Sequence, residues 1–349
     1  DVRLEVLGAV DVPHPAALRA RLLRAPDLSC VEVCALHREL ADVFADAAFS
    51  AARAAGVPFD DVDLVGSHGQ TICHLPDPAG GAATLQIGDL DRIAARTGKV
   101  VVGDFRAADV AAGGAGAPLM PYLDLALFGR EPGVLTLNLG GITAVSWLPG
   151  PRDGATAFDV GPCNVALDLL AAAVGGPSVR FDPDGAFAAA GRVARPLLAR
   201  LLAHPFFHAA PPKTSGRETF GRGYVADLLR DAAAEGLDAQ DVLATHTELV
   251  GASVAAAVDR WIPGGRGAVR RVVAGGGGVR NRTLMDGLRR SLAPVPVVPI
   301  GPAEGVAPEA KEAVLFALLA HERLCGTPSN VPRATGAGRA VQLGKIAGG

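Results

Sequence analysis

At 349 residues the chain is longer than one compact unit usually runs, so two domains are expected, with ample material for a core. Hydrophobic residues make up 49% and charged residues 20%, and the net charge is −3, an ordinary soluble balance that gives nucleic acid or an anionic membrane nothing to attract in bulk. No apolar run reaches membrane-spanning length, and the five cysteines lack the paired spacing of a zinc site, so a reducing cytoplasm is the expected location.

The chain opens on Asp1-Val2-Arg3-Leu4, without methionine, and reads as if it enters in the middle of a strand. Residues 15–23 and 39–55 predict amphipathic helices. Cys30 and Cys34 stand at helical spacing and read as two buried or half-buried thiols rather than metal ligands. Residues 62–67 predict a strand ending at Gly66-Ser67-His68-Gly69-Gln70. Strands at 84–87 and 100–102 stop at Gly88-Asp89 and Gly103-Asp104, so several loops are expected to converge on one polar site. After a helix at 121–128, residues 134–146 predict two strands joined at Gly140-Gly141, with the domain crossing just before them.

A helix at 165–173 follows the loop that carries Asp159. Further helices are predicted at 185–202 and 223–234, separated by the polar loop Lys213-Thr214-Ser215-Gly216-Arg217-Glu218, and then at 247–261. A strand at 271–274 opens into Gly275-Gly276-Gly277-Gly278-Val279-Arg280-Asn281, followed by a helix at 283–292, an extended segment at 295–300 and a final helix at 308–324. The alternation predicts an α/β fold of two halves flanking a cleft, one of residues 1–127 plus about 326–349, the other of residues 128–325.

The four glycines after Ala274 let a backbone lie close to a ligand, and the helix start beyond them adds a positive dipole end, suiting a nucleotide. The run lacks the Lys-Ser/Thr of a P-loop and the acidic residue of a dinucleotide fold, and a merely flexible turn would look similar. Leu137-Asn138-Leu139-Gly140-Gly141 could hold a phosphate against its N–H groups or be an ordinary hairpin. Asp159 stands in a strand near a helix start, placed either to take a proton from a hydroxyl or water or to cap that helix. His68, Gln70, Asp89, Asp104, Arg106 and Asp109 supply the directional partners that a sugar's hydroxyls need. No histidine and cysteine cluster suggests zinc, and no Gly-x-Ser-x-Gly elbow suggests a serine hydrolase.

Taken in order, Gly66-Ser67-His68-Gly69-Gln70-Thr71, Leu85-Gln86-Ile87-Gly88-Asp89, Val102-Gly103-Asp104-Phe105-Arg106, Gly114-Ala115-Gly116-Ala117-Pro118 and Leu137-Asn138-Leu139-Gly140-Gly141-Ile142 resemble the anhydro-N-acetylmuramic acid kinase family. So do Phe158-Asp159-Val160-Gly161-Pro162-Cys163-Asn164, the Lys213 to Glu218 loop, the Gly275 to Asn281 run and Ala310-Lys311-Glu312-Ala313. The resemblance spans nearly the whole chain. It implies the two-domain actin/hexokinase-like (ribonuclease H-like) fold, closing over ATP with Mg2+, in a cytoplasmic homodimer that recycles cell wall.

The implied reaction opens a 1,6-anhydro muramic sugar with water while its 6-oxygen receives the γ-phosphoryl group. Asp159 matches the catalytic aspartate. The resemblance assigns the sugar to His68, Gln70, Gln86, Asp89, Asp104, Arg106, Asn164 and Glu312. It assigns the nucleotide to Asn138, Gly140, Gly141, Gly275, Gly276, Gly277, Gly278 and Asn281, with no protein metal ligand. Cys163 stands where the family usually has glycine, and Val160 where it often has threonine. Asp1-Val2 matches the residues that follow the family's first phosphate loop, so that loop is expected upstream of this sequence. The alternatives are a catalytically silent sugar- or nucleotide-binding relative without it, or a kinase for another sugar.

Overall fold

The computed structural model describes residues 4–75, 81–150, 154–301 and 305–348; the opening Asp1-Val2 lies outside them. Among the described residues ten strands form: β1 (Leu64–Ser67), β2 (Gln70–Leu75), β3 (Ala83–Ile87), β4 (Val100–Gly103), β5 (Val134–Leu139), β6 (Ile142–Leu148), β7 (Thr156–Pro162), β8 (Arg271–Gly275), β9 (Val297–Pro299) and β10 (Lys345–Ala347). The chain divides into two units, Asp1–Leu123 with Ala310–Gly349, and Asp124–Glu309. Both mix helices with sheet, the α/β class that the sequence predicts.

In the first unit β4 is the central strand of three, parallel to β1 and antiparallel to β10, while β2 and β3 make a separate hairpin. The helix Cys30–Ala54 begins nine residues earlier than periodicity suggests because Ser29 and Glu32 close a capping box at its start. Leu36, Leu40, Ala41, Ala45 and Ala52 form its buried stripe. Cys30 and Cys34 fall off that stripe and are exposed, contrary to expectation. The helix Lys311–Leu324, expected in the second domain, belongs to the first unit. It packs on β1 so closely that a Cβ on Gly66 would lie 2.6 Å from the Phe316 carbonyl oxygen.

The second unit is built on five strands in the order β7-β6-β5-β8-β9. The predicted hairpin is β5 with β6, and β8 runs parallel to β5 so that Asn138 stands beside Gly275. Leu135, Leu137 and Leu139 of β5 are wholly buried, as are Thr136 and Val134 nearly so, the mark of a central strand covered on both faces. The helix Ala239–Trp261 starts at an Asp238 cap, eight residues before its predicted start.

The single helix predicted at 185–202 is instead two, Ala186–Ala190 and Arg195–Leu202. Gly191 turns extended, the amides of Arg192 and Ala194 donate to the Asp241 carboxylate (2.7 Å) and the Thr245 hydroxyl (2.9 Å), and Pro196 restarts the helix.

Candidate active site

In the second unit, Asp159 sits on β7 at the edge of the sheet, partly buried. It does not cap the Asn164–Gly175 helix, whose N-cap is Cys163 and which receives no side-chain cap. Its carboxylate turns instead to the polar loop. Thr214 Oγ1 and Ser215 N both donate to Asp159 Oδ2 at 2.8 Å, and Asp159 N donates to the Lys213 carbonyl oxygen at 3.0 Å. Among the described residues none donates to Oδ1. Burial pushes the Asp159 pKa up to about 6, against the two bonds to Oδ2 and the Lys213 charge, which hold it down; Glu218 adds a smaller upward push. A carboxyl poised there can take a proton near neutral pH.

Cys163 is buried and its thiol is pushed up to about 12, chiefly by burial, so it stays protonated beside Asp159's strand. Val160 is buried in the sheet core.

The predicted nucleotide residues come together at the ends of β5 and β8. Gly276 takes φ +85°, and a Cβ there would meet Asn138 Oδ1 at 2.8 Å and the Leu139 backbone at 2.9 Å; one on Gly278 would meet the Leu139 side chain at 2.7 Å. These two glycines are demanded by the packing of one turn on the other. Gly140, Gly141 and Gly277 are different: none has positive φ, and an added Cβ would meet nothing closer than 3.5 Å. An added Cβ would make only ordinary contacts at those three positions, so packing does not require glycine there.

Asn164 joins this group through Nδ2, which donates to the Leu139 carbonyl oxygen (3.1 Å). Asn281, expected on the nucleotide, uses its Oδ1 to cap the helix Arg282–Leu292.

In the first unit, Arg106 Nε donates to His68 Nε2 (3.0 Å), which makes Nδ1 the protonated nitrogen and the donor to the Gly69 carbonyl oxygen (3.1 Å). Burial, then the Arg106 charge, lower the His68 pKa to about 4, so the ring is neutral. Phe316 stacks on it with centroids 4.4 Å apart. Arg106 is partly buried and anchored to the Gly116 carbonyl oxygen (2.8 Å); burial lowers its pKa, opposed by the Glu312 and Asp109 charges.

A cavity of about 240 Å³ is lined in part by His68, Gln86, Asp89, Asp104, His37 and Lys345. Asp104 adopts φ +50°, rare outside glycine, and pairs with Lys345 Nζ at 2.5 Å. Gln86 donates to the hydroxyls of Thr71 and Thr84, and its buried Oε1 has no partner among the described residues.

Three of the expected sugar residues stand differently. Gln70, Arg106 and Glu312 are not among the cavity's lining, and Gln70 bonds its own neighbour, the Thr71 carbonyl oxygen; a fourth, Asn164, is likewise absent from the lining and bonds the Leu139 carbonyl oxygen. Asp89 lines the cavity yet also caps the helix Leu90–Thr97. Asp109 is wholly structural: Asn330 Nδ2, Thr335 Oγ1 and Gly116 N satisfy both of its oxygens at 2.7–2.9 Å. Sequence reasoning assigned no role to Thr214, Ser215, His37 or Lys345. The cluster of polar residues at 213–218 was a visible signal for the first two, whereas nothing local marks His37 or Lys345.

Residues 2–348 match the family described as anhydro-N-acetylmuramic acid kinase. A relative of that name from Salinibacter ruber is 43% identical over 99% of this chain and 89% of its own. Another, from Caldanaerobacter subterraneus subsp. tengcongensis, is 40% identical over 99% and 90%. Among solved structures, xylulose kinase from Rhodospirillum rubrum covers 68% of this chain and 48% of that one at 18% identity and a TM-score of 0.37, too loose a likeness to bear on function. The chain belongs to the anhydro-N-acetylmuramic acid kinase family. No described helix is long and apolar enough to cross a membrane.

Proposed function

We propose that this chain is a sugar kinase that opens 1,6-anhydro-N-acetylmuramic acid with water and phosphorylates its 6-oxygen from ATP, giving N-acetylmuramic acid 6-phosphate for cell-wall recycling. The observation that carries the chemistry is Asp159, whose Oδ2 is engaged twice while Oδ1 has no donor among the described residues and whose pKa is raised to about 6.

Asp159 Oδ1 takes a proton from water as the water oxygen bonds to the anomeric carbon. The bond from that carbon to the 6-oxygen breaks, the 6-oxygen attacks the γ-phosphorus, and ADP leaves. Such transfer depends on positioning and electrostatics more than on covalent help from the protein. The bare backbone at Gly140, Gly141 and Gly277 is suited to lie against nucleotide phosphates. ATP is taken as its magnesium complex; among the described residues no group of three His, Cys, Asp or Glu gathers to hold a metal, and magnesium commonly rides on substrate phosphates with few protein ligands. His68, Gln86, Asp89, Asp104 and the Arg106 charge behind His68 offer the mixed donors and acceptors of a sugar subsite. A cytoplasmic homodimer rests on the resemblance alone, and sedimentation would check its dimeric state.

The test is incubation of the protein with magnesium, ATP and a panel of sugars, following ADP release and the phosphorus spectrum of the product. Turnover of the anhydromuramic sugar to a 6-phosphate is expected. Turnover of a plain hexose with none of the anhydro sugar would overturn the substrate assignment.

A further inference from the structure

The loop at residues 213–215 reaches across the outer edge of β7 and grips Asp159 by three hydrogen bonds: its amide donates to Lys213, and its Oδ2 accepts from Thr214 and Ser215. The loop is itself tied down. Lys213 Nζ donates to the Phe206 carbonyl oxygen (2.8 Å) and lies over the Phe206 ring (4.6 Å), while Phe206 packs edge-on against the buried Phe220. Behind β7, the Phe207 ring fills the space where a Cβ on Gly161 would be, at 2.6 Å. Thr214 is exposed, so its hydroxyl does little for the core, yet it makes a short bond to a carboxylate oxygen across 55 residues of sequence.

We propose that Thr214 is a positioning residue of the reaction, its hydroxyl fixing Asp159 by Oδ2 so that Oδ1 alone is presented as the proton acceptor. This rests on the reading of Asp159 as the base. Two donors on one oxygen forbid the carboxylate to rotate and make its two oxygens inequivalent, and proton transfer is efficient only from a fixed geometry. A donor to the ionised carboxylate also favours that ionised form, so its loss shifts the titration upward. The charged groups acting on Asp159 are Lys213 and Glu218, and a substitution at Thr214 removes neither of them.

The experiment compares Thr214→Val, Thr214→Ser and Asp159→Asn by thermal melting, sugar KM, kcat and the pH profile of kcat/KM. Thr214→Val is expected to melt like the parent, lose about 10²-fold in kcat with sugar KM unchanged, and move the acid limb upward by about one pH unit. Thr214→Ser, which keeps the hydroxyl, is expected to restore both readouts. An unshifted acid limb and parental kcat in Thr214→Val would overturn the proposal, as would a serine variant as impaired as the valine one. The underlying reading fails separately, if Asp159→Asn retains full turnover.

Discussion

Two aspartates, Asp109 and Asp159, each accept hydrogen bonds from residues distant in sequence, and they are satisfied in opposite ways. Asp109 is wholly buried with both oxygens satisfied, by Asn330 and Thr335 on Oδ1 and by Gly116 on Oδ2, and Gly114 is glycine because a Cβ would strike that carboxylate at 2.2 Å. Asp159 has two donors on one oxygen and none, among the described residues, on the other. The first pattern knots the Gly114–Gly116 turn to the segment at 330–335. The second holds a carboxylate still while leaving it something to react with. Full satisfaction marks structure, and half satisfaction with a raised pKa marks chemistry.

Exchange experiments sharpen the contrast. Asp159→Asn should lower kcat by about 10²–10⁴-fold without loss of nucleotide affinity or melting temperature, since the amide oxygen can still accept from Thr214 and Ser215; ADP release and a thermal melt measure both. Asp109→Ala should do the reverse, costing about 3–5 kcal/mol in denaturant unfolding because three buried donors lose their acceptor. A melt unchanged in Asp109→Ala, or collapsed in Asp159→Asn, would break the distinction.

At the glycine turns, Gly276→Ala should cost about 1–3 kcal/mol of stability for its positive φ and its clash with Asn138. Gly277→Ala should leave stability alone and weaken ATP binding, read by titration calorimetry. A further effect is on stability against pH. The folded pKa of Asp159, about 6, lies above its ordinary value of 3.8, so between these values the folded protein binds the extra proton. That contribution is fully present below about pH 3.8 and is lost as pH rises through 6. Parent and Asp159→Asn should therefore differ in melting temperature by an amount that changes across this window and is flat above it.

Much of this was legible in the sequence because the signals are local. The Gly140-Gly141 hairpin, the glycine run after β8 and most helices follow from turn chemistry and periodicity. What was not legible depends on tertiary partners. Asp159 looked equally like a helix cap, a reading that its bonds to Thr214 and Ser215, more than fifty residues on, exclude. Asp109 looked like a sugar ligand until Asn330 and Thr335 closed over it. The apparent helix at 185–202 breaks because side chains of the Ala239–Trp261 helix offer its backbone better partners. Helix starts at Cys30 and Ala239 were misplaced where caps outreach the apolar stripe.

The first unit is assembled from two stretches separated by the whole of the second. A nascent chain emerging from the ribosome can finish the five-stranded sheet of the second unit, which is continuous, while the first still lacks β10 and the helix on β1. During that interval Asp109 has neither Asn330 nor Thr335, and Asp104 has no Lys345. Synthesis therefore imposes an order in which the unit carrying Asp159 can mature first and the last forty residues close the unit carrying His68.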